Sequence, residues 1–173
     1  MYEDIKKQIR DVKDFPKKGI VFKDITPALA DAQCFQSIIN AFYDRFKDKH
    51  IDKIAAIESR GFLFGATLAE KLHCGLVLLR KPGKLPYKSI KESYDLEYGS
   101  AALELHVDAV KKGEKILLID DLLATGGTME AACKLIQKSG GDIVACTCLI
   151  ELEFCNGRST LEKYASVETF LRY

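Results

Sequence analysis

Lys115-Ile116-Leu117-Leu118-Ile119-Asp120-Asp121-Leu122-Leu123-Ala124-Thr125-Gly126-Gly127-Thr128 is the stretch on which the fold turns. A short apolar run, Ile116 to Ile119, ends in two carboxylates, and a helical pattern from Met129 to Lys138 closes at Gly140-Gly141. The order is buried strand, loop, helix N-terminus. That junction makes an anion site, because the first amides of a helix lack intrahelical partners and the dipole favours negative charge there. Gly126 and Gly127 let the backbone approach an anion closely, and Thr125 and Thr128 add hydroxyl donors. Two acids beside the cradle would repel a bare phosphate. A ligand with both a phosphate and vicinal hydroxyls suits them, because carboxylates accept hydrogen bonds from hydroxyls. A sugar phosphate is such a ligand.

Two plainer readings compete. An apolar run closed by Asp-Asp also looks like the metal-binding strand of a nucleoside triphosphatase, but no Gly-x-x-x-x-Gly-Lys-Ser/Thr occurs in the chain. Thr-Gly-Gly-Thr on its own is more often a turn and a helix cap; its place behind paired acids on a buried strand argues for the anion site.

Outward from this stretch, a second unit repeats the pattern. Lys53 to Ile57 is a strand, Glu58-Ser59-Arg60-Gly61 a loop, Phe62 to Leu72 a helix and Leu76 to Leu79 a strand. The stretch itself gives strand 115–119, helix 128–138 and strand 142–150. Apolar strands alternating with helices predict an α/β fold: a central, mostly parallel sheet flanked by helices. Ligands then bind beyond the carboxyl ends of the strands, where loops 58–61 and 120–128 should converge.

The other segments are less regular. Residues 4–12 place Ile5, Ile9 and Val12 at helical spacing. Residues 14–27, with Pro16, Gly19 and Pro27, read as an ordered, non-repetitive piece with a short extended run from Ile20 to Phe22. Asp31 caps a helix to about Lys49, whose stripe of Phe35, Ile38, Ile39, Phe42 and Phe46 is core. Residues 80–99 read as a long loop with little periodic structure and five cations, Arg80, Lys81, Lys84, Lys88 and Lys91. Loops that long in a compact domain are commonly lids. Residues 101–107 alternate like a half-exposed strand. A short helix near 160–164 and a strand at 167–171 end the chain.

At 173 residues the chain is expected to form one domain, with an N-terminal hood over 1–27 and a mobile lid over 80–99. A net charge of +1 points to neither nucleic acid nor an anionic membrane as partner. No apolar run approaches the length of a membrane span, and residues 1–8 lack the apolar core of a signal peptide, so a cytoplasmic location is expected. The six cysteines, Cys34, Cys74, Cys133, Cys146, Cys148 and Cys155, form no Cys-x-x-Cys and read as reduced thiols.

Ile116 to Thr128 resembles the phosphoribosyl-diphosphate (PRPP) signature of the type I phosphoribosyltransferases. The resemblance extends over most of the chain: Phe15-Pro16, Gly19 to Phe22, Asp24 to Pro27, Glu58 to Gly65, Arg80 to Pro86, Tyr94 to Gly99 and Asp120 to Thr128. These segments are similar to the adenine-using branch of that family. The resemblance implies that Asp120 and Asp121 hold the ribose hydroxyls, and that Ala124, Thr125, Gly126, Gly127 and Thr128 hold the 5-phosphate. It implies that Ser59, Arg60, Arg80, Lys81 and Lys84 serve the diphosphate. Val21, Phe22, Lys23 and Leu122 would then hold adenine, with Phe22 and Leu122 sandwiching the ring and the Val21 backbone reading its edge. Glu97, Arg60 and Tyr98 would be catalytic, Glu97 facing N7 of the base. The products would be AMP and diphosphate, the cofactor Mg2+ held through substrate with no direct protein ligand, and the assembly a homodimer. A hypoxanthine or guanine enzyme, or a regulator that binds PRPP and catalyses nothing, remains as an alternative. The chain departs from the family at Lys23, where arginine is common, and at Tyr87, where glycine or arginine is common.

Overall fold

The computed structural model describes residues 2–95 and 100–173. The chain forms two compact units, 1–46 and 47–173.

In the N-terminal unit, helix α1 (Tyr2–Lys7) leads to a hairpin of β1 (Arg10–Lys13) and β2 (Val21–Asp24). The helix expected over 4–12 therefore ends early. Cross-strand pairing overrides its period: Arg10 pairs with Asp24 at 2.6 Å, and Lys23 Nζ donates to Asp11 Oδ1 at 2.7 Å. The non-repetitive reading of 14–27 holds only between the strands, where Asp14 Oδ1 accepts from the Gly19 amide at 2.7 Å. Beyond β2, α2 (Thr26–Ala30) carries Pro27 in its first turn, where no amide hydrogen is needed. Asp31 accepts from the Cys34 amide at 2.7 Å and so caps α3 (Ala32–Phe46). Ile38, Ile39, Phe42 and Phe46 are buried along α3 as its period requires. Complete burial of each Phe contributes about 1.5–3 kcal/mol.

The 47–173 unit is built on five parallel strands in the order β4-β3-β7-β8-β9. Their ranges are β3 (Lys53–Ile57), β4 (Gly75–Leu79), β7 (Lys115–Leu123), β8 (Asp142–Glu151) and β9 (Ser166–Arg172). Helix α4 (Gly61–Leu72) connects β3 to β4, and α5 (Gly127–Lys138) connects β7 to β8. The two crossovers run to opposite sides of the β3–β7 pair, so the chain reverses its winding there. Ile116 and Leu118 pack with α5, whereas Ala56 and Ile119 meet α4 at Gly65. Both faces of the central strands β3 and β7 are covered, and this is why Ile54 to Ile57 and Ile116 to Ile119 are apolar without interruption.

Two expectations need correction. The first strand of the opening stretch runs beyond Ile119 to Leu123, because Leu122 and Leu123 continue the ladder opposite Ile150 and Glu151. The acids thus sit on the end of a strand rather than in a loop. Residues 80–99 are also not free of regular structure: β5 (Ser89–Asp95) pairs antiparallel with β6 (Ser100–His106). Ile90 and Tyr94, four apart on one face, pack against the core formed with α5. A backbone bridge between Arg80 and Glu104 ties β6 to the end of β4. The last helix, α6 (Gly157–Leu161), starts three residues earlier than its pattern indicates, after a 3-10 turn at Glu153–Cys155.

Candidate functional site

A cavity of about 480 Å³ opens at the carboxyl ends of β3 and β7. All of its lining belongs to the 47–173 unit. Glu58, Ser59 and Arg60 come from the β3–α4 loop, and Asp120, Asp121 and Leu122 from the end of β7. Ala124, Thr125, Gly126, Gly127 and Thr128 come from the turn into α5. Lys81, Tyr94, Leu123 and Met129 complete it. The two loops converge as the crossover argument requires. Gly126 adopts φ 86°, the left-handed region that glycine alone enters freely, and turns the chain into α5.

Asp121 is 4% exposed, and Arg60 Nε lies 2.7 Å from its Oδ2. The approach is an ion pair without hydrogen-bond alignment, so Oδ2 has no hydrogen-bond partner. Asp120 sits deep in the protein but still opens onto the cavity, and its Oδ1 accepts from the Asp121 amide at 2.8 Å. Burial pushes the Asp120 carboxyl well above the usual range, and the charge of Asp121 pushes it further. Burial also raises Asp121, with Arg60 opposing. Two adjacent acids held away from water are a costly arrangement without a ligand, and hydroxyl donors would relieve it.

The cations of the 80–84 segment converge on Glu58. Its carboxylate accepts from Arg80 Nε at 3.0 Å, Lys84 Nζ at 2.6 Å and the Lys81 amide at 2.8 Å. Arg80 also lies over the Phe62 ring at 5.8 Å. Burial pushes the Glu58 carboxyl up, but Arg80, Lys84 and the Lys81 amide outweigh it and hold it at about 2. Its folded value lies below the ordinary 4.5, so these contacts stabilise the fold fully above about pH 4.5 and are lost as pH falls towards 2. Melting curves from pH 5 to pH 2 should therefore fall more steeply for the parent protein than for Glu58→Gln; parallel curves would refute the pairing.

Arg80 and Lys84 do not line the cavity themselves but stand behind Glu58, which does. Val21, Phe22 and Lys23 belong to the N-terminal unit, where Phe22 packs edge-on against Phe15 with ring centroids 5.2 Å apart. Glu97 and Tyr98 lie outside the described residues. Tyr87 packs edge-on against His106, with centroids 6.1 Å apart. Sequence reasoning gave no role to Glu58 or Tyr94, although both stood inside the quoted segments. It also passed over Gly157, whose backbone touches the turn at Ala124 to Gly126.

None of the six cysteines forms a disulfide, and four of them are buried. Among the described residues, no group of three or more His, Cys, Asp or Glu side chains is placed to hold a metal ion. No described helix is long and apolar enough to cross a membrane.

A parallel sheet with paired acids at the end of one strand and a glycine turn opening the next helix defines a class. The family model described as "Phosphoribosyl transferase domain" matches residues 28–171. An adenine phosphoribosyltransferase of Geotalea daltonii is 55% identical over 159 residues, covering 92% of this chain and 93% of that one. The crystal structure of adenine phosphoribosyltransferase from Thermoanaerobacter pseudethanolicus superposes with a TM-score of 0.97 at 47% identity, covering 100% of both chains. The Saccharomyces cerevisiae enzyme, complexed with an imino-altritol bisphosphate and adenine, gives a TM-score of 0.92 at 38% identity, covering 98% of this chain and 97% of that one. The chain belongs to the adenine phosphoribosyltransferase family.

Proposed function

We propose that the protein transfers the 5-phosphoribosyl group of PRPP to adenine, giving AMP and diphosphate. The observation that carries this is the joining, in one cavity, of an acid pair and a glycine turn at the head of α5. Asp120 and Asp121 accept hydrogen bonds from the ribose hydroxyls. The amides and hydroxyls of Ala124 to Thr128 hold the 5-phosphate. Ser59, Arg60 and Lys81 line the side where the diphosphate sits, with Arg80 and Lys84 held ready on Glu58. Departure of diphosphate builds positive charge on the ribose ring, so the cations stabilise the leaving anion while the cavity orients the base and excludes water. Val21, Phe22 and Leu122 bind the adenine ring. In the N-terminal unit Lys23 Nζ donates to Asp11 Oδ1, a contact that holds the hairpin carrying Val21 and Phe22.

The cavity suits a magnesium-bound diphosphate: it offers carboxylate and hydroxyl oxygens without thiol or imidazole ligands, and magnesium keeps several waters and binds largely through phosphates. Bound there, the ion would neutralise charge on the diphosphate. Incubation with PRPP, magnesium and each purine in turn tests the reading. Diphosphate release with adenine is the expected result. Release only with hypoxanthine or guanine would reassign the base, and PRPP binding without release would make the protein a regulator.

The working form is a homodimer, located in the cytoplasm. Leu76 and Leu78 on the edge strand β4 are 40% and 38% exposed, and Leu63 on α4 is 45% exposed. A partner covering this apolar surface would lie next to Arg80, which directly follows β4, and so next to the diphosphate cations. Sedimentation should show a dimer that Leu76→Glu/Leu78→Glu dissociates. An active monomer of the parent protein would defeat the proposal.

A further inference from the structure

Gly157 stands far along the chain from the phosphate turn, yet the two backbones are in direct contact. A Cβ at Gly157 would lie 2.1 Å from the Ala124 carbonyl oxygen and 2.9 Å from the Gly126 nitrogen. In the other direction, a Cβ at Gly126 would lie 2.8 Å from the Gly157 carbonyl oxygen. The obstructing atoms are backbone on both sides, so no side chain can swing away to make room. Gly157 has a negative φ, so what requires glycine here is close approach rather than backbone conformation.

The segment that carries Gly157 is itself clamped. Arg158 donates from Nε and Nη2 to the two oxygens of Glu151, at 2.9 and 2.6 Å. Its Nη1 donates to the Val167 carbonyl at 2.6 Å, and Nη2 also to Thr169 Oγ1 at 3.0 Å. The Thr169 hydroxyl donates to Glu151 Oε2 at 2.6 Å. This planar, two-toothed pairing of a largely buried carboxylate fixes position as well as charge. Just beyond α6 a second strap reaches the first turn of α5: Tyr164 Oη donates to Glu130 Oε1 at 3.2 Å, and Lys163 Nζ pairs with the same oxygen at 2.8 Å.

We propose that residues 156–164 are a buttress for the phosphate cradle, with Gly157 a positioning residue for the 5-phosphate turn and the Arg158–Glu151 clamp holding it there. The inference rests on the proposed role of the 124–128 turn and adds the part that fixes its geometry. Gly157 contacts the backbone of the turn and leaves the ligand to it. The clamp anchors α6 to β8 and β9, two strands that the diphosphate side of the cavity does not use. The buttress should therefore matter to one half of the substrate alone.

Calorimetric titration with ribose 5-phosphate, and separately with magnesium diphosphate, tests this on the parent protein, on Gly157→Ala and on Glu151→Gln/Arg158→Gln. The double variant removes both charges and so leaves no unpaired buried ion. Gly157→Ala should bind ribose 5-phosphate about 10- to 100-fold more weakly, as a displacement near 1 Å does at such sites, and diphosphate within about twofold of the parent. The double variant should show a smaller loss with the same selectivity, and it decides the matter if Gly157→Ala does not fold. Unchanged ribose 5-phosphate affinity in the folded variants would overturn the buttress and leave the functional reading standing. Equal weakening of both ligands would also overturn it, since that marks general softening. A parent protein that fails to bind ribose 5-phosphate would overturn the functional reading and the buttress together.

Discussion

Glu97→Ala and Glu97→Gln should each lower single-turnover formation of AMP by about 10²- to 10⁴-fold, with PRPP affinity changed little. The reaction makes a bond to N9 of adenine, and N9 must present a free lone pair. If adenine binds with its proton on N7, N9 is free, and a carboxylate facing N7 takes the proton as the bond forms. In the reverse direction it returns the proton and makes adenine a leaving group. Strand β5 brings Tyr94 to the cavity, and the Asp95–Ser100 pair returns the chain along β6. Measurement of the chemical step beside a PRPP titration separates proton transfer from binding. Unchanged chemistry in both variants would leave Glu97 a surface charge and the proton to water.

The parts of this architecture legible in the sequence are those in which local pattern and tertiary demand agree. Ile116 to Ile119 is apolar throughout because both faces of β7 are covered, and Gly126 after it marks a turn through the left-handed region that glycine enters freely. That pairing of signals located the sheet, the crossover and the cradle together. Strand β5 was obscured by Lys88, Lys91 and Glu92, whose polarity resembles a loop; what makes it a strand is its pairing with β6 and the packing of Ile90 and Tyr94 on α5. The N-terminal helix was overextended for a similar reason, since Val12 fits a helical stripe from Ile5 but finds its place opposite Phe22. Glu58 looked like one more loop charge, and its grip on Arg80 and Lys84 depends on residues 22 and 26 positions away. Gly157 is the extreme case. Nothing near it in the chain calls for glycine, and its requirement comes from a turn about thirty residues earlier.

Asp120→Asn should stabilise the ligand-free protein near neutral pH while lowering kcat/KM for PRPP by about 10- to 100-fold, the loss expected for a hydrogen bond to a charged acceptor. The two effects have one cause. The Asp120 carboxyl has a folded pKa raised by burial and by the charge of Asp121, so keeping it ionised costs the fold free energy. For a raised acid the fold is favoured most below the unfolded value near 3.8, and that advantage is lost as pH rises through the folded pKa. Asparagine removes the charge and keeps an oxygen to accept the Asp121 amide, so its gain in melting temperature should be largest at neutral pH and fade towards pH 4. The same substitution gives up a charged acceptor for a ribose hydroxyl. Both results together would mark Asp120 as an acid that the ligand-free fold would be better without, the conflict expected of a residue kept for a ligand rather than for packing. Melting temperature against pH, set beside steady-state kinetics with PRPP varied, tests both halves. An Asp120→Asn protein that melts lower than the parent at pH 7 and turns over normally would remove Asp120 from the ribose site and return it to the structure.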